Sequence, residues 1–372
     1  MNIAVIFGGE SCEHDISIIT GLQLCANVNI QIHSVLPIYI DKVGNWLVGK
    51  DLGDIDNYPN FLGKTAKVAL INNDNNLYIK KRNAFKKYQK IDFAFVCLHG
   101  LGGEDGTIAA ILEHSKIPYS ACSMMSSAVA LDKAIFKRLL VSNNIKTAQS
   151  ICLNIDDWNQ DQDKCVEQIG ALSEKVIIKP ARQGSSIGIQ ISNSQDDIVE
   201  KINKAFKFDN KLLIEEFLNV KKEINIALFK HKTEMIFSQT EEPQYSSEIL
   251  GFDEKYRKNS GGFQTIKRIC PAKISKKIED DIKTIADSVY NKLDMFGVVR
   301  FDFILDQEDN LYLNEVNTIP GSMANYLFED ITYSKLIDMI ILNGLIRFEK
   351  EKERAHSFDS GVLLEGIDSF KK

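Results

Sequence analysis

Arg300-Phe301-Asp302-Phe303 and, a short turn later, Tyr312-Leu313-Asn314-Glu315-Val316-Asn317 alternate polar and apolar residues. Period-two alternation belongs to strands with one buried face, because successive side chains point to opposite sides. The pattern predicts paired strands over 298–305 and 311–316, joined by the turn 306–310. On them Asp302 shares a face with Arg300, and Glu315 shares one with Asn317. Adjacent strands of this kind can bring two carboxylates and an amide oxygen to one point. Such hard oxygen donors suit Mg²⁺ or Mn²⁺ bridging to nucleotide phosphates. A solvated polar strand face would give the same alternation. Against it stands Asn317-Thr318-Ile319-Pro320-Gly321-Ser322, a turn that carries backbone N–H groups to the same end.

Upstream, Lys175-Val176-Ile177-Ile178-Lys179 reads as a strand, followed by a Gly/Ser loop over 181–186 and a second strand over 187–191. Backbone donors in such a flap can cover phosphates while Lys179 supplies a point charge. A flexible hairpin with a snorkelling lysine is the plainer alternative, and no Walker A sequence is present. Residues 126–143 form a helical segment with Lys133 and Lys137 one turn apart. Residues 212–217 form an apolar strand that carries Glu215.

The chain begins with a strand over 2–7, then Gly8-Gly9, then a helix over 17–28, the opening of a doubly wound α/β unit. Buried strands follow over 33–40 and 91–98, and a helix over 107–115. Residues 51–90, rich in Asn, Asp and Lys, read as a surface hairpin and loops. Further on come a polar segment over 239–262 and a long helix over 275–293; the last fifteen or so residues read as weakly ordered. Gly8-Gly9-Glu10-Ser11-Cys12-Glu13-His14 lacks the G-x-G-x-x-G spacing of dinucleotide sites. At a strand's C-terminal edge, Glu13 and His14 could bind an ammonium group, or serve as a helix cap and a satisfied core histidine. The same choice applies at His99-Gly100. It applies also at Gly103-Glu104-Asp105-Gly106, which looks like a tight turn with helix-capping acids.

Composition bounds the function. The chain has 372 residues, 45 Lys+Arg and 51 Asp+Glu, and a net charge of −6. That balance argues against a dedicated nucleic-acid partner, which needs a basic surplus. Hydrophobic residues at 44% and charged ones at 26% fit a folded chain of two or three domains. No apolar run approaches the ~20 residues of a membrane helix. The seven cysteines are odd in number, scattered and without a C-x-x-C pair, which fits reduced thiols. With no signal-peptide pattern at Met1-Asn2-Ile3-Ala4-Val5, the expected location is the cytoplasm.

Taken in order, these segments resemble the D-alanine–D-alanine ligase family of ATP-grasp enzymes. The likeness is carried by G-G-E-S-C-E-H-D-I-S (8–17), L-H-G-L-G-G-E-D-G (98–106), S-S-A-V-A-L-D-K (126–133) and I-I-K-P-A-R-Q-G-S-S-I-G (177–188). It continues through E-K-Y (254–256), R-F-D-F (300–303) and N-E-V-N-T-I-P-G (314–321). The resemblance implies an α/β chain in three parts. An N-terminal doubly wound domain (1–122) binds substrate. A central ATP-grasp lobe (123–218) and a C-terminal lobe (219–372) clamp ATP. It implies that Lys133 and Lys179 contact phosphates, that Glu215 lies at the adenine and that Glu223 holds the ribose. Asp302, Glu315 and Asn317 match ligands of two Mg²⁺ or Mn²⁺ ions. Arg300 and the Gly321 N–H match donors to a tetrahedral oxyanion. Glu13, helped by His99, matches the acceptor of the first alanine's ammonium group. Ser185 and Tyr256 link Glu13 to a closing loop (244–262), and Lys255 faces phosphate and the second carboxylate. Tyr326 stands where many members place a serine for that carboxylate, next to Leu327. In the closing loop, Leu250-Gly251-Phe252 replaces the usual aromatics.

The implied reaction joins two D-alanines through a D-alanyl phosphate, releasing ADP and phosphate, for peptidoglycan precursors. Both steps put negative charge on oxygen, which asks for preorganised cations and N–H donors. Ligases that use D-lactate or D-serine as second substrate are the nearest alternatives, and Tyr256 favours an amine. A homodimer joined through the N-terminal domain is the assembly the resemblance implies, with no membrane or nucleic acid among the partners.

Overall fold

The computed structural model describes residues 1–58, 64–70, 75–81, 84–244, 267–355 and 357–361. Most of the segment 239–262, with Glu254, Lys255 and Tyr256 in it, lies outside the described residues, as do residues 362–372 at the C-terminal end.

Seven strands form the first sheet: β1 (Asn2–Gly8), β2 (Ser34–Ile40), β3 (Trp46–Val48), β4 (Ala66–Leu70), β5 (Asn76–Lys81), β6 (Ala84–Lys90) and β7 (Phe93–Val96). Their order is β6-β5-β4-β3-β2-β1-β7. Only β2, β1 and β7 run parallel to their neighbours; β3 to β6 add antiparallel strands at one edge. The doubly wound unit expected here is thus a parallel core with an antiparallel extension. Residues 51–90, read as surface hairpin and loops, supply that extension. In β1, Ile3 to Phe7 are all fully buried, the continuous apolar run of a strand covered on both faces. Helix α1 (His14–Asn27) covers one side, and α2 (Thr107–His114) follows the Gly/Glu turn after β7.

The segment read as one helix over 126–143 is two, α3 (Met124–Leu131) and α4 (Lys133–Ser142). Asp132 breaks it, because its carboxylate caps α4 by accepting from the Ala134 and Ile135 N–H groups at 3.1 and 3.0 Å. The second sheet holds β8 (Ser150–Asn154), β9 (Val176–Pro180), β10 (Gln190–Ser192) and β11 (Lys211–Glu216), in the order β10-β9-β11-β8. Helices α5 (Ile155–Gln160), α6 (Gln162–Leu172) and α7 (Gln195–Ala205) back it with a core that includes Trp158, Ile169, Ile198 and Ile202.

The third sheet holds β12 (Val220–His231), β13 (Glu234–Pro243), β14 (Arg268–Ile269), β15 (Val299–Asp306) and β16 (Leu311–Asn317), in the order β14-β13-β12-β15-β16. The polar segment expected from 239 is strand as far as Pro243. Helix α8 (Lys276–Lys292) packs Ile282, Ala286 and Val289 on this sheet. The last helix, α9 (Tyr333–Lys352), buries Leu336, Ile337, Ile340 and Ile341 in a core shared with Phe93 and Phe95 of the first sheet and Phe229 of the third. Each such side chain stabilises by about 1.5–3 kcal/mol when buried. This shared core holds the N-terminal sheet against the C-terminal one. No helix among the described residues is long and apolar enough to cross a membrane.

Candidate active site

A cleft opens between the second and third sheets. Lys133, Lys137, Lys179, Ser185 and Glu215 line one side; Glu223, Arg300, Asp302 and Glu315 line the other. The β15–β16 register pairs Asp302 with Glu315 and Arg300 with Asn317, so period-two alternation puts the four on one sheet face. Arg300 grips Asp302 with a two-point fork, Nε and Nη2 each at 2.7 Å. Asn317 donates to the same carboxylate at 3.0 Å. Burial pushes the Asp302 carboxyl above its ordinary range, Arg300 pulls it down, and Glu315 pushes it up again. Two half-buried carboxylates paired across adjacent strands, with the Asn317 amide beside them, are oxygen donors of the kind a divalent cation takes, so these residues fit a metal.

Across the cleft, Glu215 on β11 is buried between two lysines. Lys179 stands 2.6 Å from one of its oxygens, and Lys137 pairs with the other. Burial alone would raise this carboxyl, but Lys179 and Lys137 hold it down at about 2. Burial opposes the charge on Lys179, yet Glu215 outweighs it and keeps the lysine above its ordinary range. Lys179 also donates to Asn314 Oδ1 of β16 at 3.2 Å, which ties the two sheets together. Lys133, the first residue of α4, donates to the Gln183 carbonyl of the flap at 2.6 Å. The three lysines therefore converge on the cleft, with buried Glu215 beneath Lys137 and Lys179. Lys137 is a site residue that its helical spacing alone did not single out.

The N-terminal motifs resolve individually. Glu13 precedes α1 without capping it through its side chain; it accepts instead from the Ser185 hydroxyl of the flap. His14 is the satisfied core histidine, with Nδ1 on the Gly9 carbonyl at 2.6 Å and Nε2 on the Tyr39 hydroxyl at 3.1 Å. His99 is buried beside Thr20, whose hydroxyl meets Nε2 at 2.8 Å, and it also bonds the Ile319 backbone. Burial lowers its pKa to about 4, so the ring is neutral near pH 7.

The turn over 103–106 divides its acids. Asp105 stands one residue before the N-cap Gly106 and accepts from the Gly102 and Thr107 N–H groups at 2.9 Å each, which satisfies the first N–H of α2. Glu104 does not. Its carboxylate accepts from Gly100 N–H at 3.0 Å and from Ile319 N–H, 215 residues away, at 3.3 Å. Burial and the nearby Glu13 carboxylate push it up to about 8. The sequence left Glu104 open between a cap and a ligand contact, and nothing local points to a backbone partner so distant.

Beyond Pro320, Ser322, Met323 and Ala324 take left-handed φ angles of 51, 52 and 46°. Such backbone costs about 1–2 kcal/mol per non-glycine residue and persists where surrounding contacts fix it. Here Thr20 accepts from the Ser322 N–H at 3.4 Å and Asn325 donates to the Ser322 carbonyl at 2.9 Å. Gly321 sits at the head of this turn. Tyr326 donates to Glu241 at 3.0 Å, with the Arg268 guanidinium 4.3 Å from its ring centre. Leu327 buries its side chain in the shared core, which leaves its backbone as the part able to face a substrate.

The geometry thus sets a lysine cluster opposite a carboxylate pair across one cleft, with the buried Glu13 carboxylate joined to its flap through Ser185. A family model described as D-ala D-ala ligase C-terminus matches residues 139–342, and its N-terminal counterpart matches residues 2–122. The chain belongs to the D-alanine–D-alanine ligase family. It is 36% identical over 371 residues to a D-alanine–D-alanine ligase from Thermosipho melanesiensis, covering 98% of each chain. Among solved structures, it is similar to the D-alanine–D-alanine ligase of Coxiella burnetii, with a TM-score of 0.78 and 20% identity over 100% of this chain and 99% of that one. A D-Ala:D-Ser ligase from Enterococcus faecalis gives the same TM-score, 0.78, at 26% identity over 92% of this chain and 99% of that one. The fold is ATP-grasp.

Proposed function

We propose that the chain joins two molecules of D-alanine at the expense of ATP, forming D-alanyl-D-alanine for peptidoglycan precursors and releasing ADP and phosphate. The observation that carries this reading is the convergence of Lys133, Lys137 and Lys179 opposite the Asp302–Glu315 pair, with Glu13 tethered to the flap beside them. Lysines on a buried counter-charge are pre-set for a polyphosphate. Glu13, a buried carboxylate, suits an ammonium group, and neutral His99 orients the loop without repelling it. Asp302, Glu315 and Asn317 would hold Mg²⁺ or Mn²⁺. Bound there, the ions would neutralise charge on the phosphates during transfer.

In this reading the carboxylate of the first D-alanine attacks the γ-phosphate and gives a D-alanyl phosphate. The amine of the second attacks the acyl carbon, and Arg300 and the Gly321 N–H donate to the oxyanion. Glu223 holds the ribose and Glu215 sets the charge of the lysines next to the adenine end. Tyr326 and Lys255, with the backbone of Leu327, take the second carboxylate, and Tyr256 closes on Glu13 and Ser185.

The Enterococcus relative makes D-serine a second substrate to test, since overall fold does not separate the two chemistries. ADP release with D-alanine alone is expected to match or exceed release when D-lactate or D-serine is added at neutral pH. A clear preference for D-lactate or D-serine would overturn the choice of second substrate. Glu315→Ala is expected to abolish ADP formation with the thermal midpoint kept; unchanged turnover would overturn the metal assignment.

A further inference from the structure

Glu104 is a buried carboxyl with a hydrogen-bond donor on each side of a domain boundary. On the N-terminal side, Gly100 N–H gives to Oε2 at 3.0 Å; on the C-terminal side, Ile319 N–H gives to Oε1 at 3.3 Å. Each of these backbone groups sits against a different working part of the site. Gly100 has φ +70°, and a Cβ on it would stand 2.7 Å from Glu13 Oε2, so the Glu13 carboxylate rests directly on the peptide that Glu104 holds. A Cβ on Gly184 of the flap would meet the same oxygen at 2.7 Å, which closes the Glu13 carboxylate in from the other side. Ile319 lies two residues before Gly321, whose N–H opens the left-handed turn.

We propose that Glu104 is a positioning residue that sets the spacing between the ammonium acceptor Glu13 and the N–H donor of Gly321. This rests on the ligase reading, in which one amino acid is held by its amine at Glu13 while its acyl carbon reacts near Gly321. Both ends of so small a substrate must be fixed together, because a misplacement of about 1 Å can cost on the order of a hundredfold in rate. A glutamate reaches both peptides and offers two acceptor oxygens.

The test uses the full-length enzyme, with initial rates measured for the first D-alanine and for ATP separately. Glu104→Gln keeps the size and one acceptor oxygen; Glu104→Ala keeps neither. The Gln variant is expected to raise KM for the first D-alanine and lower kcat, together about tenfold in kcat/KM, as for one lost buried hydrogen bond. The Ala variant is expected to lose more, while KM for ATP stays within about twofold in both. Parallel rises in KM for ATP and D-alanine, an unchanged Gln variant, or a Gln variant that does not fold would each overturn the proposal in favour of a purely structural role. If the unaltered chain makes no dipeptide, the ligase reading fails instead; if it does and Glu104→Gln matches it, only this inference fails.

Discussion

Glu215 shows how one buried residue sets the charge of a site. Its two oxygens serve Lys137 and Lys179, so neither lysine is buried without a counter-charge. Removing that charge should cost about 3–5 kcal/mol, the range for breaking a buried ion pair from one side. Glu215→Gln is therefore expected to lower the urea midpoint and weaken ATP binding, both read on one sample series. The pH dependence has a definite sign. A carboxyl held at about 2, against an ordinary 4.5, stabilises the fold fully above pH 4.5 and loses that contribution as pH falls toward 2. Urea midpoints between pH 5 and pH 2.5 should fall more steeply for the unaltered chain than for Glu215→Gln. Parallel slopes would remove Glu215 from the acid response. At this scale Lys179, Asp302 and Glu315 were legible in the sequence from a strand-end lysine and from alternation, and Lys133 through the resemblance. The Glu13–Ser185 contact, 172 positions apart, was expected only through the family resemblance, and the Glu104–Ile319 bond, 215 positions apart, not at all.

Helix α4 delivers Lys133 to the flap, and Asp132 decides where α4 starts. Its Oδ1 accepts from the Ala134 and Ile135 N–H groups, while its Oδ2 takes Lys211 at 2.7 Å. Asp132→Ala should cost about 0.5–2 kcal/mol as a lost cap and, by loosening the first turn, raise KM for ATP. Asp132→Asn, which keeps the capping oxygen, should lose less in urea denaturation; equal losses would mean that the Lys211 pair, not the cap, carries the effect. Elements were legible where burial is one-sided, as in β15 and β16, or where a short apolar run ends at glycines, as in β1. Helix α9 lies between two sheets, so its apolar residues form no clean single stripe. Strand β6 exposes most of its residues and shows no buried alternation, which is why 51–90 reads as loops from sequence.

Across the whole molecule, the second and third sheets frame the cleft, and the N-terminal part of the chain is joined to it through Glu13 and Ser185. The second sheet side brings the lysines and the flap, the third sheet the carboxylate pair, and the loop after β1 brings Glu13. The net charge of −6 conceals this local gathering of cations. Chelating divalent cations with EDTA is expected to stop ADP release, and added Mg²⁺ or Mn²⁺ to restore it, with the thermal midpoint little changed. Activity that survives chelation would mean the Asp302–Glu315 face holds no essential ion. The most direct test of ATP-driven ligation follows an oxygen atom. With D-alanine labelled by ¹⁸O in its carboxylate, attack on the γ-phosphate carries one labelled oxygen into each phosphate released with a dipeptide. Mass spectrometry is expected to find one ¹⁸O per phosphate, matched by D-alanyl-D-alanine. Unlabelled phosphate, or phosphate without dipeptide, would contradict the ligase reading.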